Sequence, residues 1–389
     1  MNILFIPTKD PRLTNGGNEQ RTNLLWESLK RYGKVYTFLL DRNLDVCAEL
    51  IDGIHPIYKF RPEEKNFSVW RLINSLLSRL SFFSIFSRKT TVFKRPEDIF
   101  EGVHFDVVVA RYLHPLCDFK YWKIAPLLID IDDHPIQVFE TVRKKQLPIG
   151  LKSIGRFVTR KQAEYIIDKS VGGWIANKDQ EVLLGSNYMF LPNIPQTASQ
   201  SYNVGNIQRK NLFTVGAMGY GPNKYGVTRF LKEIWPLFHQ KYPEVEYYIV
   251  GKGALEADVK LWNSYEGVKY LGFVDNLEAL YEKSLATVVP VYSGGGTCIK
   301  TLEAMSYSRT CLSTKFGARG LSDDVINGEK GILLFDDAET FIDAYNKVLD
   351  VKRRDEIEKQ GSHFITSNYS VDSFNKAVEE VLLNVRLSR

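Results

Sequence analysis

The 389-residue sequence predicts an α/β protein with two doubly wound, parallel-sheet domains. Short apolar runs rich in β-branched residues alternate with helical patterns along both halves of the chain. The length exceeds what one hydrophobic core usually supports, and a polar stretch without periodicity, 193–210, separates the halves. The expected domains are 1–195 and 196–370, followed by a C-terminal helix, 371–389, that packs back toward the first domain.

The predicted elements have the same order in both halves. In the first half the strands are NILFIP (2–7), KVYTFLL (34–40), FDVVVAR (105–111), PLLIDID (126–132) and GGWIAN (172–177). In the second half they are 211–218, 247–253, 268–274, 286–292 and 310–314, with helical patterns over 227–243, 276–284 and 299–308. Sheets of this kind bind ligands at the carboxyl ends of their strands, so a site is expected between the halves.

Composition excludes several classes of protein. An apolar content of 44% and a charged content of 25% are typical of a folded globular chain. No run approaches about 18 uninterrupted apolar residues, and no export signal follows Met1, so the sequence predicts a cytoplasmic protein. The four cysteines are far apart, with no spacing that suggests a disulfide framework or a zinc site. Neither a metal nor a cofactor is expected.

Positive charge is concentrated in the first half, where 28 Lys and Arg face 22 Asp and Glu in 1–195. Within it, 59–97 has nine basic and three acidic residues, and 141–163 has seven basic and no acidic residues. The aromatic stretch 67–86 either lies on an anionic membrane, making the protein peripheral at the inner face, or packs as an ordinary helix on the sheet. An anionic membrane surface contacted through 59–97 is one predicted partner, whereas no nucleic-acid reader motif is present.

The most informative segment is VPVYSGGGTCIKTLEAM, 289–305, where a buried strand leads through three glycines into a helix. Glycine N–H groups and a helix N-terminus favour a phosphate, and Lys300 adds a full charge one turn into the helix. Glu303 then lies where a carboxylate can accept two hydrogen bonds from a vicinal diol such as a ribose. A tight structural turn explains the glycines equally well, but Thr297, Lys300 and Glu303 in register favour a nucleoside diphosphate site.

Five motifs in order resemble the C-terminal, donor-binding domain of GT-B fold glycosyltransferases of family 4. They are GAMGYGPNKYG (216–226), IVGKG (249–253), YLGFVDNLEALY (270–281), the glycine segment above and STKFGARGL (313–321). The resemblance covers most of 211–340. In the first half it is limited to the Gly16-Gly17 loop, PLLIDIDD and MFLPNIP (189–195).

The resemblance implies a donor site in the second half. Glu303 matches the glutamate that holds the donor ribose, and the base is expected against the turn Gly272, Phe273 and Val274. The diphosphate and sugar loop corresponds to Gly294, Gly295, Gly296 and Thr297. The sequence departs from the family where Gly295 replaces a second glutamate and Ala217 replaces an arginine. Lys300, and Lys224 unless it is a solvated turn residue, are therefore expected to neutralise the diphosphate.

Candidate residues on the acceptor or sugar side follow the first-half strands. Gly16 and Gly17 let a loop approach a sugar, and Arg21 can reach an anionic group. Asp132 falls where many family members have a catalytic-site histidine. His134 lies two residues on, and Arg111 and His114 follow the preceding strand. A carboxylate cluster such as 130–133 is costly at a buried strand end unless it is solvated or paired, and a helix N-cap is the alternative for Asp133.

The resemblance implies transfer of a sugar from a nucleoside diphosphate sugar to a hydroxyl of a glycan or lipid-linked glycan. Retention of configuration without an obligatory metal is expected, with Asp132 and Lys300 as the catalytic residues. Two alternatives remain open at this stage. One is a nucleotide-sugar epimerase on the same fold, and the other is a non-catalytic nucleotide-sugar-binding partner of a membrane assembly complex.

Overall fold

The computed structural model describes residues 1–14, 17–41, 53–58, 96–113, 116, 120–132, 134–141, 144, 147–178, 184, 187–195, 209, 211–294 and 298–387. Five predicted site residues lie outside these ranges, namely Gly16, His114, Gly295, Gly296 and Thr297, as does most of 59–97. The chain divides into two compact units. Unit 1 comprises Met1–Asn193 and Asp372–Arg389, and unit 2 comprises Ile194–Val371.

Unit 1 is built on a seven-stranded parallel sheet in the order β3-β2-β1-β4-β5-β6-β7. The strands are β1 Asn2–Ile6, β2 Lys34–Asp41, β3 Ile54–Tyr58, β4 Val107–Arg111, β5 Leu127–Ile131, β6 Gly172–Ile175 and β7 Tyr188–Phe190. Unit 2 is built on a six-stranded parallel sheet in the order β10-β9-β8-β11-β12-β13. Its strands are β8 Asn211–Val215, β9 Tyr247–Val250, β10 Val268–Gly272, β11 Ser284–Val289, β12 Cys311–Ser313 and β13 Ile332–Leu334.

The α-helices are numbered in chain order over the described residues. They are α1 Gly17–Lys30, α2 Pro96–Ile99, α3 Pro135–Thr141, α4 Lys152–Ile167, α5 Gly221–Glu233, α6 Trp235–Lys241, α7 Glu256–Trp262, α8 Leu277–Lys283, α9 Ile299–Ser306, α10 Asp323–Asn327, α11 Ala338–Leu349, α12 Val351–Asn368 and α13 Val371–Leu387. Among the described helices none is both long enough and apolar enough to cross a membrane.

Both sheets confirm the predicted doubly wound α/β class. Strand order reverses beside β1 in unit 1 and beside β8 in unit 2, which is where the connecting loops of such sheets leave room for a ligand. The central strands β4, β5 and β11 are buried along their whole length, as parallel strands covered on both faces must be. The loops after these strands therefore start from rigid positions.

Three strands were not predicted. β3 contains Pro56, and a proline within a run argues against a central strand, but among the described strands β3 is at the edge of the sheet and pairs only with β2. β7 and β13 have three residues each, too few to show a period. The predicted helix over 227–243 is two helices, because Pro236, the second residue of α6, breaks the pattern after Ile234.

The C-terminal helix packs within unit 1. The Trp174 indole N–H donates to the Ala377 carbonyl at 3.1 Å, and the Tyr32 hydroxyl donates to the Asn375 carbonyl at 3.2 Å. The apolar face of α13 includes the buried Phe374 and Val378. These contacts anchor the end of the chain to the sheet that contains its beginning.

Candidate active site

Unit 2 brings two loops together beside the strand-order reversal. The loop 216–220 follows β8, and the segment 290–298 follows β11, the neighbour of β8 in the sheet. The first loop is fixed to the end of β9, where the Gly216 N–H donates to Val250 O at 3.0 Å and the Met218 N–H donates to Lys252 O at 2.8 Å. This arrangement presents a preformed loop to whatever lies at the start of α9.

Lys300, in the first turn of α9, extends along the loop that follows β8. Its ammonium donates to the side-chain oxygen of Asn223 at 3.1 Å, and Asn223 Nδ2 donates to the Ala217 carbonyl at 2.9 Å. A Cβ on Gly216 would lie 2.6 Å from Lys300 Cε, so a larger residue at position 216 would displace the end of the lysine side chain. Lys300 forms no ion pair with the residues that the structure describes, so its charge is available to an anion.

Glu303 lies one turn beyond Lys300 on the same side of α9. Its carboxylate is partly buried and makes no hydrogen bond within the described part of the chain. Burial raises the pKa of Glu303 to about 7, against the opposing effect of the Lys300 charge. The carboxylate therefore titrates near neutral pH and has open acceptor positions when it is ionised.

Arg319 is a second cation near this loop, and sequence reasoning gave it no role. Its Nη2 lies 3.6 Å from the position that a Cβ on Gly294 would occupy, and the Tyr220 hydroxyl lies 3.9 Å from the same point. Burial alone would raise the pKa of the Cys298 thiol, but the charges of Lys300 and Arg319 hold it below its ordinary value. The only signal in the sequence was the position of Arg319 within the STKFGARGL motif.

The turn predicted to hold the base ends β10. Gly272 has φ +70°, a conformation that favours glycine, and Phe273 is 65% exposed beside it. Lys252 Nζ lies 5.5 Å from the centre of the Phe273 ring, and Val274 is partly buried. An exposed aromatic face at the end of a strand is able to stack on a planar base.

Lys224 lies in the first turn of α5 and does not join Lys300. Its ammonium is 3.3 Å from Asp258 Oδ2, in an ion pair at the surface. This placement agrees with the solvated alternative more closely than with a diphosphate contact.

Unit 1 contains a buried ionic network at the carboxyl end of its sheet. Asp130, fully buried on β5, accepts from Arg21 Nε at 3.0 Å and from Arg21 Nη2 at 2.5 Å, and its other partner is Arg111 Nη1. Burial raises the pKa of Asp130, but the two guanidinium charges outweigh it and hold the pKa below its ordinary value. The predicted cost of a carboxylate at this position is offset by two arginines from α1 and β4.

Arg21 and Arg111 therefore face a carboxylate of their own chain. Arg21 Nη1 also donates to Leu191 O at 2.9 Å and to Asn193 Oδ1 at 3.0 Å. Its side chain is 1% exposed, so it holds the network together rather than reaching toward a ligand. Arg111, which is also fully buried, donates from Nη2 to Asn18 Oδ1 at 2.8 Å.

Asp132 lies at the open side of this network with a side chain 14% exposed. Three donors orient its carboxylate, namely the Tyr112 hydroxyl at 3.1 Å, Asn193 Nδ2 at 3.3 Å and Arg111 Nη2 at 3.5 Å. Tyr112 has φ +67°, a conformation rare outside glycine that persists where surrounding contacts enforce it. Tyr112 and Asn193 had no signal in the sequence pattern that marked them as partners of Asp132.

The remaining acceptor-side candidates are in local structure. Gly17 begins α1. His134 Nδ1 accepts from the Ile136 N–H at 3.2 Å, and burial, together with the charge of Arg160, lowers the pKa of His134 to about 4. His134 is thus neutral at pH 7 and acts as a local cap at the start of α3.

Comparison with known proteins gives a family match for most of the second unit. Residues 209–351 match the family model described as glycosyl transferases group 1. This segment is therefore similar to a group 1 glycosyl transferase domain. It runs from just before β8 to the start of α12, and it contains Lys300, Glu303 and Arg319.

The chain as a whole has the GT-B fold. It is similar to the structure of sucrose-phosphate synthase from Thermosynechococcus elongatus, with a TM-score of 0.68, 14% identity and 100% of both chains covered. It is similar also to Anabaena HepE in complex with UDP, with a TM-score of 0.61, 11% identity, and 99% of this chain and 100% of that chain covered.

A curated relative matches part of the sequence. An uncharacterised 44.6 kDa protein in the cps region of Klebsiella pneumoniae is 23% identical over 193 residues. The match covers 47% of this chain and 49% of that protein, so it spans about half the length of the relative.

Proposed function

We propose that the protein transfers a sugar from a nucleoside diphosphate sugar to a hydroxyl of a glycan or lipid-linked glycan. The observation that carries this proposal is the pair Lys300 and Glu303, one turn apart on α9 beside the loop that follows β8. The pair offers a cation for a diphosphate and an unbonded carboxylate for the ribose diol. The group 1 glycosyl transferase domain that contains both residues supports the same conclusion.

Catalysis in this scheme is stabilisation of the leaving group. The bond between the sugar C1 and the β-phosphate oxygen breaks while the acceptor oxygen bonds to C1 on the same face. The acceptor proton passes to the departing diphosphate. In this proposal Lys300 and Arg319 stabilise the negative charge that builds on the diphosphate, since both cations lie beside the same glycine segment and fixed cations at such a position lower the barrier. This route gives retention, and it needs neither a protein nucleophile nor an obligatory metal.

We place the acceptor hydroxyl at Asp132 of unit 1. Its carboxylate is partly exposed and is held in one orientation by Tyr112 and Asn193, so it can accept a hydrogen bond from an incoming hydroxyl. A polysaccharide or other glycoconjugate is the proposed product, which is consistent with the cps-region relative. The UDP bound to HepE makes a uridine nucleotide the first donor to test.

The experiment starts from a panel of UDP, GDP and dTDP sugars compared by thermal unfolding. A ligand at one hundred times its Kd adds about 2.7 kcal/mol of stability, so a true donor is distinct from the others. The stabilising sugar nucleotide is then incubated with and without a lipid-linked glycan fraction, and the glycan product and free nucleoside diphosphate are measured. The proposal predicts sugar in the glycan product.

Two other outcomes would replace the proposal. Conversion of the donor to a second nucleotide sugar, with no transfer, would make the protein an epimerase. Donor binding with neither transfer nor slow hydrolysis would make it a non-catalytic binding partner, which the glycine at position 295 motivates. If no nucleotide sugar stabilises the protein, the donor site itself is wrong.

A further inference from the structure

The loop that follows β9 is held between the ends of the two neighbouring strands. The Gly251 N–H donates to Gly272 O, at the end of β10, at 2.7 Å, and the Tyr270 hydroxyl donates to Gly251 O at 2.6 Å. On the side of β8, Lys252 O accepts from the Met218 N–H at 2.8 Å. The backbone of Lys252 is therefore fixed by contacts within the protein.

The side chains of Lys252 and Phe273 meet at the surface beyond these strand ends. Lys252 Nζ lies 5.5 Å from the centre of the Phe273 ring. Phe273 is 65% exposed, and Lys252 is exposed beside it. The Lys252 ammonium makes no ion pair or hydrogen bond with the residues that the structure describes. The two side chains thus offer an accessible aromatic ring and an ammonium with unused donors.

An aromatic ring and an ammonium recognise different features of a nucleobase. Every base has a π-face that can stack on an aromatic ring, so stacking on Phe273 adds affinity without choosing among bases. An ammonium has three donors and no acceptor, so Lys252 can bond to a base carbonyl but not to an amino group. Uracil and guanine carry a carbonyl where cytosine and adenine carry an amino group.

We infer that Lys252 selects the base of the donor by donating a hydrogen bond to the carbonyl oxygen of a base that stacks on Phe273. The site therefore takes nucleoside diphosphates of uracil or guanine in preference to those of cytosine or adenine. This inference deepens the proposed function and rests on it, because it names the class of nucleotide that the donor site of unit 2 binds.

The geometry favours a base over a phosphate as the partner of Lys252. Its ammonium lies over the Phe273 ring, whereas Lys300 lies against Gly216 and Arg319 lies close to Gly294. The ammonium is 5.5 Å from the ring centre, and its four-carbon stem is flexible. It can therefore move to the edge of a base that lies on the ring. The cation for the base and the cations for the diphosphate are on different elements.

The test is calorimetry on the full chain with two pairs of nucleotides, UDP with CDP and GDP with ADP. The members of a pair share the ribose, the diphosphate and the size of the base, and they differ at the carbonyl or amino position. In the pair that the protein binds more tightly, the carbonyl member should bind at least about tenfold more tightly than the amino member, the usual effect of one hydrogen bond to a charged group.

Two variants separate choice from affinity. K252M keeps the length of the side chain and removes the ammonium, so it should weaken the carbonyl member at least about fivefold and leave the amino member unchanged. F273S should weaken both members by the same factor, about tenfold, and leave their ratio unchanged. The matched control is K260M, which removes an exposed lysine of α7 and should bind both as the wild type does. All three positions are exposed, so the variants should unfold at the wild-type temperature.

Three results would overturn the inference. One is a wild-type protein that binds both members of the pair equally. Another is an unchanged affinity ratio in K252M. The third is an equal loss of affinity for both members in K252M, which would place Lys252 on the diphosphate. If no nucleoside diphosphate binds the wild type, the proposed function fails and the inference fails with it, whereas tight UDP binding with an unchanged ratio in K252M contradicts the inference alone.

Discussion

The side-chain oxygen of Asn223 accepts a hydrogen bond from Lys300 Nζ at 3.1 Å. The amide orientation follows from its two partners, since the Ala217 carbonyl can only accept and the Lys300 ammonium can only donate. Asn223 thus joins the loop after β8 to the first turn of α9. Asn223 therefore positions Lys300, the cation that binds the diphosphate in the proposed mechanism.

Replacing Asn223 by alanine should weaken UDP binding about tenfold, because Lys300 loses a charge-assisted hydrogen bond that fixes it over Gly216. If the protein already carries Lys300→Ala, adding Asn223→Ala should leave the UDP affinity almost unchanged. Calorimetry on the wild type, the two single variants and the double variant measures this double-mutant cycle. Asn211, whose Nδ2 donates to the Tyr248 hydroxyl at the other end of β8, supplies the matched control Asn211→Ala. Additive losses would show that Asn223 acts independently of Lys300.

Lys300→Ala should lower sugar turnover by about 10² to 10³, the usual effect of removing one fixed donor to a developing negative charge. The exposed Lys283, at the end of α8, provides the control Lys283→Ala, which should turn over as the wild type does. Turnover is measured at saturating donor, with and without chelator. If Lys300→Ala turns over sugar as fast as the wild type does, another cation stabilises the leaving diphosphate, and Arg319 is the first one to test.

Donor binding should depend on pH near neutrality. Because the pKa of Glu303 is raised to about 7, half of the Glu303 carboxylates in the free protein are neutral at pH 7. Only the ionised form offers both oxygens as acceptors to the ribose diol. The affinity is therefore nearly complete above about pH 8, falls by about half at pH 7, and falls by about tenfold between pH 8 and pH 6. An intact UDP-sugar is the ligand of choice, because its diphosphate does not titrate in this range. Glu303→Gln should bind weakly with a flat profile, whereas a flat wild-type profile would contradict the assignment.

Asp130→Asn should destabilise the protein by about 3–5 kcal/mol, since it leaves two buried guanidinium groups without their carboxylate. The partly exposed ion pair of Asp10 and Arg12 supplies the control variant Asp10→Asn, which should lower the free energy of unfolding by less than about 1 kcal/mol. The folded pKa of Asp130 is below its ordinary 3.8, so its contribution is present above that pH and is lost as pH falls through the folded value. Denaturant unfolding measures both variants, and equal small losses would show that the network contributes little.

The sequence predicted the elements that have a clear period and missed those that do not. Runs such as 105–111 and 126–132 are long and apolar enough to identify β4 and β5. β3 was not predicted because it contains Pro56, and β13 was not predicted because it has three residues. The helix over 227–243 divides at Pro236 because a proline can start a helix but not continue one.

For the site, local spacing was informative and long-range partners were not. Lys300 and Glu303 are three residues apart, so their shared side of α9 followed directly from helical geometry. Asn223 is 77 residues from Lys300, and Arg21 is 109 residues from Asp130. Such pairs depend on how loops from different strands meet, which periodicity does not encode. The cost of burying Asp130 was foreseen, but the identity of the arginines that offset it was not.

The most direct test of the account is the UDP affinity of Glu303→Ala compared with that of Glu278→Ala. Both variants remove a glutamate from a helix of unit 2, but Glu278 is an exposed residue in the first turn of α8. Calorimetry should show Glu303→Ala weakened at least tenfold, with Glu278→Ala equal to the wild type. Equal affinity for UDP in the two variants would contradict the claim that α9 holds the nucleoside diphosphate.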